Sequence, residues 1–481
     1  MARTVSSIVA GSAGVGSTRM PNVNPSDLDD IVVEVAAADA RVAEDAVASA
    51  VAAWPGWART SPLVRSEIID RAGSEIIARA DELGDLLARE EGKTLAEARG
   101  EALRSGQMLK FAAGQALSLN GIQGSSIRSG VEVFVTRRPV GVVGVLTPFN
   151  FPLAIPALKI GPALALGNAV VFKPADQVTA CAWELVDILH RAGVPPGVLN
   201  MVLGNSAVTG PVLTGHSQVA AVTFTGSVPT GRLVRSSVVD RGGRVQLELG
   251  GKNPLVVLAD ADLDLAVDLA VQGGWGSTGQ RCSASSFLVV ADAVHDRFVD
   301  RVEERRRALR VGDARAVDTD MGPVIDEVQL SRNAQSLAQA GLDGGQVSGG
   351  EILERSTRGH YQAPALVVGT EPDHAVNRHE VFGPVISVIR VADYEEALAV
   401  ANGSPYPLSA AIVTRDLASA THFRHHSVAG MVMVNLATAG VDHNVPFGGA
   451  GNSSYGPREQ GAAAWEFFTE SRTHYVAAGS P

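Results

Sequence analysis

Apolar residues recur every three or four positions from residue 35 to 116, in AAADARVAEDAVASAVAAW and then VRSEIIDRAGSEIIARADELGDLLAREEG. That spacing predicts helices, punctuated by Pro55-Gly56 and Gly92. At 131–138 the period shortens. VEVFVTRR alternates valine with other residues, which predicts a strand with one apolar face, at a sheet edge or in an extended arm. From 140 onward short apolar runs alternate with helical patterns. VGVVGVL (140–146), AVVFK (169–173), VLNMVLG (198–204), VAAVTFTGS (219–227) and RVQLELGG (244–251) predict five strands. TPFNFP (147–152) reads as a turn, LAIPALKIGPALAL as a helix stopped by Gly167-Asn168, and 178–192 as another helix. NPLVVL, FLVV, VISVIRV, SAAIVT and MVMVNL repeat the logic further on, with helices such as HDRFVDRVEERRRALRVG between them. Alternating strands and helices predict parallel, doubly wound sheets: two α/β lobes, the first with a helical N-terminal cap. WEFFTESRTHYV (465–476) predicts a final extended segment able to pair with 131–138. GSAGVGS (11–17) shows neither a preceding strand nor a clear following helix, so it reads as a flexible tail and not as a nucleotide loop.

Composition narrows the class. The chain has 481 residues, 46% hydrophobic and 19% charged, as in an ordinary globular enzyme of two or three domains. Its net charge of −11 argues against nucleic-acid and anionic-membrane surfaces. Two cysteines make no disulfide framework and fit a reducing compartment. No leader-like N-terminal run and no membrane-length apolar stretch is visible, so a cytoplasmic location is expected.

The candidate chemistry starts with GQRCSASS (279–286). Cys282 sits among small polar residues, which suits an accessible nucleophile better than packing. Cys181, in TACAWELV, reads as a core residue. No histidine stands in a cysteine-protease signature, and no histidine–cysteine cluster has zinc spacing. In RVQLELGG, Val245, Leu247 and Leu249 share one face, which leaves Glu248 on the other at the strand's carboxyl end. There it suits a general base of raised pKa, or equally a structural ion-pair partner. Asn150 in TPFNFP is an oxyanion donor or a turn asparagine. FTGSVPTG (224–231) is a phosphate-binding strand–helix turn or a bare one. FKPADQ (172–177) suits ribose hydroxyls or a solvated loop.

TPFNFP, FKPAD, FTGS, LELGGKNP, GQRC, HEVFGPV and VPFGG follow one another in this order. As an ordered set they resemble the aldehyde dehydrogenase superfamily, from about residue 20 to 476. The resemblance implies a Rossmann-type cofactor domain, an α/β catalytic domain and a small β oligomerisation arm. It places the boundaries at 1–125 (tail and helical part of the cofactor domain), 126–139 (arm), 140–250 (cofactor domain), 251–440 (catalytic domain) and 441–481 (return and C-terminal oligomerisation segment). It implies Cys282 as nucleophile, Glu248 as general base and Asn150 as oxyanion donor. Lys173 and Asp176 match positions on the adenosine ribose, Gly226 and Ser227 the pyrophosphate loop, and Glu380 and Phe382 the nicotinamide ribose and ring. Thr147, Pro148, Phe149, Gly204, Phe224 and Leu249 complete the implied cofactor wall, and Lys159 and Glu459 a proton relay. No metal is implied. The family usually carries glutamate at position 176. The shorter Asp176 leaves room near the ribose 2′ position, so the cofactor is NAD or NADP, with NADP favoured.

AGMVMVNLATAGVDHNVPFGG and SSYGPREQG resemble the 2,5-dioxopentanoate (α-ketoglutarate semialdehyde) dehydrogenases. The implied reaction is oxidation of that aldehyde to 2-oxoglutarate through a thiohemiacetal and a thioester. A broad aliphatic or aromatic aldehyde dehydrogenase is the alternative, and a non-catalytic binding protein on the same fold is one of another class. The chain departs from the pattern at Ala450-Gly451, where basic residues are expected. An acidic substrate then needs a cation elsewhere, with Arg104, Arg281 and Arg458 as candidates. A homodimer or homotetramer is implied.

Overall fold

The five apolar runs between 140 and 251 form the centre of an eight-stranded sheet in a computed structural model that describes residues 3–14, 16 and 18–477. Taken across the sheet, these five strands lie in the order fifth, fourth, first, second, third. Val142–Leu146 pairs in parallel with Ala169–Lys173 on one side and Val219–Thr225 on the other. The winding therefore reverses at Val142–Leu146. Sheets of this type bind ligands outside the carboxyl ends of the strands at such a reversal. The alternation within each strand explains the burial. Val143 and Val145 belong to one apolar core, while Val142 and Leu146 belong to another on the opposite face. Both faces are covered, as parallel sheets require.

The second sheet has seven strands, all parallel except the edge strand Gln346–Ser348. The chain passes from one sheet to the other through Leu249–Lys252, between Arg244–Glu248 and Asn253–Val257. The carboxyl ends of the first sheet thus face the amino ends of the second. Cys282 lies just before the strand Ser285–Ala291, and Glu380 just before Val385–Val391. The third sheet is the expected arm: Val131–Pro139 pairs antiparallel with Thr469–Ala477 along its length, and with Ile122–Ser125 on its other side.

Three expectations are corrected. The N-terminal stretch is not a flexible tail or part of a helical cap. Arg3–Ser6, Thr18–Asn24 and Asp27–Ala37 form a sheet of their own, while Ile8–Val9 and Ser12–Ala13 extend the edge of the first sheet. Val15 and Ser17 of GSAGVGS lie outside the described residues. Asn24 turns the chain by accepting the Ser26 N–H at 2.8 Å, an Asx turn that sets up the hairpin. Pro55 does not end the first helix, which runs Ala40–Arg59. Trp57 is buried and donates its indole N–H to the Leu164 carbonyl at 3.0 Å, which holds the last turn. The first residues of WEFFTESRTHYV are helical, Ala464–Phe468, because Phe467 and Phe468 are buried in the first lobe's core. Four helices follow the N-terminal sheet as expected, the last being Leu95–Ser118. No helix among the described residues is long and apolar enough to cross a membrane.

The N-terminal sheet is stitched to the first lobe by the Ala38 N–H, which donates to the Leu203 carbonyl at 2.8 Å. The next residue, Gly204, has φ +124°. A Cβ there would stand 2.8 Å from the Ala38 nitrogen. Gly204→Ala is expected to lower unfolding free energy by about 1–3 kcal/mol through backbone strain, with cofactor affinity unchanged. A denaturation midpoint equal to wild type would contradict this packing.

Candidate active site

The two sets of strand ends enclose a cavity of about 1310 Å³, whose walls run from Asn150 and Cys282 to Lys173, Ser206 and Thr214. It is larger than the usual span of small-ligand pockets, roughly 300–1,000 Å³. Thr147, Pro148, Phe149, Phe224, Gly226, Ser227, Leu249, Glu380 and Phe382 line it with Asn150, Cys282 and Lys173. Asp176 stands behind Lys173. Gly204 does not line the cavity, because its place is the seam with Ala38.

Cys282 is held by its backbone. Its carbonyl accepts the Asn253 side-chain amide at 2.8 Å, and a Cβ on Gly251 would lie 2.3 Å from that oxygen. The LELGGKN turn therefore needs glycine at 251. Burial pushes the thiol up to about 12, and the carboxylates of Glu380 and Glu248 add to the shift. The resting sulfur is protonated at neutral pH. Arg281 does not activate it, since its guanidinium turns back to the Gln272 and Gly273 carbonyls, the latter at 3.1 Å.

Asn150 is buried and donates one Nδ2 hydrogen to the Gln280 carbonyl at 2.8 Å. A primary amide carries two such hydrogens, so one remains for an acceptor in the cavity that Asn150 and Cys282 both line. Glu248 lies opposite the Val245–Leu247–Leu249 face as the alternation predicts. Its Oε2 accepts the Ser454 hydroxyl at 2.6 Å. Burial raises its pKa well above the carboxylate range, and the Glu459 charge reinforces this. Glu459 forms a buried ion pair with Lys159, whose Nζ also donates to the Thr223 hydroxyl at 2.8 Å. Glu248 itself does not line the cavity.

At the other end, Lys173 Nζ donates to Asp176 Oδ1 at 2.7 Å, and Asp176 also receives the Ser206 N–H at 3.1 Å and hydroxyl at 2.9 Å. Burial lowers the Lys173 pKa, with Asp176 opposing. Ser227 caps the helix Val228–Asp240, whose N-terminus opens on the cavity and favours an anion. The Gly226 N–H donates to the Glu248 carbonyl at 3.1 Å, which ties the loop to the strand carrying the carboxylate. Glu380 Oε1 accepts the Gly251 N–H at 3.1 Å, and a Cβ on Gly250 would stand 2.0 Å from Oε2. Burial pushes Glu380 up to about 7. Phe382 takes φ +59° and meets Phe149 edge-on at 5.7 Å.

The cavity accordingly offers a helix N-terminus, a buried lysine with an acid, and glycines where side chains would fill the space. These fit a dinucleotide. Motif reading passed over Lys93, Glu97, Glu101, Gln280, Asn253 and Ser206. The Thr94-x-x-Glu97 capping box was the one visible signal, and it forms as that pattern predicts.

The chain matches the Aldehyde dehydrogenase family over residues 12–474. It is 38% identical to an alpha-ketoglutaric semialdehyde dehydrogenase of Bacillus subtilis, covering 94% of this chain and 93% of the relative. It is 37% identical to a 2,5-dioxopentanoate dehydrogenase of Saccharolobus solfataricus, covering 94% and 95%. A betaine aldehyde dehydrogenase point mutant from Staphylococcus aureus, in complex with NAD+, superposes with TM-score 0.96 at 28% identity, covering 99% of this chain and 96% of that one.

Glu248 adds to the upward shift of the Cys282 thiol, so its removal should ease ionisation of the sulfur. Glu248→Gln is expected to move the Cys282 titration to lower pH, read as thiolate absorbance against a Cys282→Ala reference. An unmoved or rising midpoint would show that the carboxylate does not bear on the sulfur.

Proposed function

The chain belongs to the aldehyde dehydrogenase family and is an oxidoreductase acting on aldehydes, and on that footing we propose that it oxidises 2,5-dioxopentanoate to 2-oxoglutarate with NAD or NADP. What supports the chemical reading is that the Cys282 thiol and the spare Asn150 amide hydrogen belong to one cavity wall, with the buried Glu248 carboxyl near enough to bear on the thiol although it does not itself line the cavity. The Cys282 thiol gives its proton to water, and the thiolate adds to the aldehyde carbon as the carbonyl electron pair moves onto oxygen. The oxygen of the resulting thiohemiacetal accepts from Asn150 Nδ2, a donor placed before the charge develops. Bound nicotinamide cofactor supplies the hydride acceptor. Loss of hydride from the carbon leaves a thioester on Cys282. Glu248 takes a proton from water, the hydroxide adds to the thioester, and the acid leaves as the thiol is restored. Glu459, whose charge bears on Glu248, and its ion-pair partner Lys159 would then carry a proton from Glu248 onward.

Lys173 and Asp176 would meet the adenosine ribose, and Gly226 and Ser227 the pyrophosphate. Glu380 and Phe382 would hold the nicotinamide end. The Asp176 carboxylate is engaged by Lys173 and Ser206, which supports space at the 2′ position and a preference for NADP.

The substrate reading draws on the relatives' names and on one cation. Arg281, Arg458 and Arg104 each donate to backbone carbonyls, and none forms an ion pair among the described residues. Arg104, half-buried, differs in its place beside the turn that carries Asn150. It lies one helical turn after Glu101, which holds the Leu153 and Ala154 N–H groups next to Asn150. We assign it to the substrate's distal carboxylate. Among the described residues the arm's two outer strands are paired on one side only, with Ile122, Tyr475 and Val476 exposed. Such edges call for cover, so the assembly is read as a homodimer or homotetramer, to be checked by light scattering, where a single-chain mass would exclude it.

Steady-state kinetics test the reading. Cys282→Ala should abolish turnover, and Asn150→Ala should lower kcat about 10²- to 10³-fold. Arg104→Met should raise KM for 2,5-dioxopentanoate about tenfold or more and leave hexanal unchanged. Equal losses on both aldehydes, or a wild-type preference for hexanal, would remove the substrate assignment. Because Glu248 is useful only when ionised and burial raises its pKa, activity should fall with falling pH over a range above that of an ordinary carboxylate. A profile flat down to pH 5 would exclude it as the base.

A further inference from the structure

A chain of buried charges underlies the site, all of it near the start of the helix Leu95–Ser118. Lys93 is fully buried. Its Nζ donates to the Asn150 carbonyl at 2.7 Å and to Glu101 Oε2 at 2.5 Å. Glu101 Oε1 accepts the Leu153 N–H at 2.9 Å and the Ala154 N–H at 3.1 Å. The turn that carries Asn150 is thus held at both ends. Glu97 does the same for the other loop. Its Oε1 accepts the Ser277 N–H at 2.6 Å, and its Oε2 receives the Thr94 N–H at 3.1 Å. Ser277, Thr278 and Gly279 are three consecutive left-handed residues, a conformation that the first two adopt only under constraint. They lead into Gln280, whose carbonyl receives the Asn150 amide. Both loops of the site are therefore referenced to one helix start.

Such a cluster is not an economical way to fill space. Buried ions are often matched in stability by apolar residues of the same volume. Lys93 Nζ lies 2.5 Å from Glu101 and 3.7 Å from Glu91, and burial pushes Glu91 up to about 8 against the pull of Lys93. A lysine retained here is explained by the geometry it imposes on what it touches.

We propose that Lys93 is a positioning residue for the oxyanion-binding amide. Through the Asn150 carbonyl and Glu101 it fixes the turn so that one Asn150 Nδ2 hydrogen stays on Gln280 and the other points at the substrate oxygen. The inference rests on the reading of Asn150 as the oxyanion donor. Lys93 itself touches neither substrate nor cofactor.

A double-mutant cycle tests it. Lys93→Met, Asn150→Ala and the double variant are assayed for kcat, KM, NADPH affinity and thermal stability, with Lys93→Arg as the conservative variant. Lys93→Met is expected to lower kcat by about 10- to 100-fold, the scale of a 1 Å misplacement. KM and NADPH affinity should stay within about twofold. The double variant should be no slower than Asn150→Ala alone, and Lys93→Arg should recover part of the loss. A Lys93→Met loss that persists in full on the Asn150→Ala background overturns the proposal, as does a loss in KM or NADPH affinity with kcat intact. Should Lys93→Met not fold, Glu101→Gln in the same cycle is expected to show the same non-additivity, and full additivity there also overturns it. If Asn150→Ala alone leaves kcat unchanged, the oxyanion reading fails first, and the positioning role falls with it.

Discussion

A single 2.8 Å hydrogen bond, from Asn150 Nδ2 to the Gln280 carbonyl, joins the loop after the first strand of one sheet to the loop before a strand of the other. Neither sheet alone can make a site, because the first supplies amide and carboxylate and the second supplies the thiol. The two halves must be held to within a fraction of an ångström for the chemistry proposed. The surrounding structure serves that registration. Gly250 and Gly251 let Glu380 and the Cys282 carbonyl close on the crossover strand. Asn253 grips the Cys282 carbonyl from the first strand of the second sheet. The Gly226 N–H ties the opposite loop to the Glu248 backbone.

The electrostatics are set by the same closeness. Burial holds the Cys282 thiol protonated at rest, and the nearby carboxyl groups of Glu380, Glu248 and Glu459 add to the shift. Burial also raises Glu248 and Glu380 themselves. The resting site is thus less negative than a count of its acids suggests. A protonated thiol is a poor nucleophile and a poor target for oxidation, so the arrangement restrains the sulfur until a proton is removed.

Much of this was legible in the sequence because it depends on local order. The two-residue period of RVQLELGG places Glu248 opposite the leucines, and the strand–turn–helix punctuation puts TPFNFP and FTGS at strand ends. What stayed hidden depends on distant partners. Lys93 in EEGKT looks like a surface lysine, and its partner Asn150 lies 57 residues further on. Asp27–Ala37 is a strand whose burial falls on Val32 and Val33 together, so it shows no alternation to read. Gly204 follows a strand as a phosphate-loop glycine would, yet its conformation serves a backbone seam with Ala38. Arg281 stands next to Cys282 in the chain, while its guanidinium closes the end of a helix.

The central claim is that the acyl group passes through the Cys282 sulfur. Rapid chemical quench of Glu248→Gln with 2,5-dioxopentanoate and NADP, followed by peptide mass spectrometry, tests it directly. With hydrolysis slowed and oxidation intact, the account predicts one 2-oxoglutaryl group per active subunit on the peptide carrying Cys282, formed together with NADPH. NADPH formed with no acyl group on that peptide, or with the group on another residue, would contradict it.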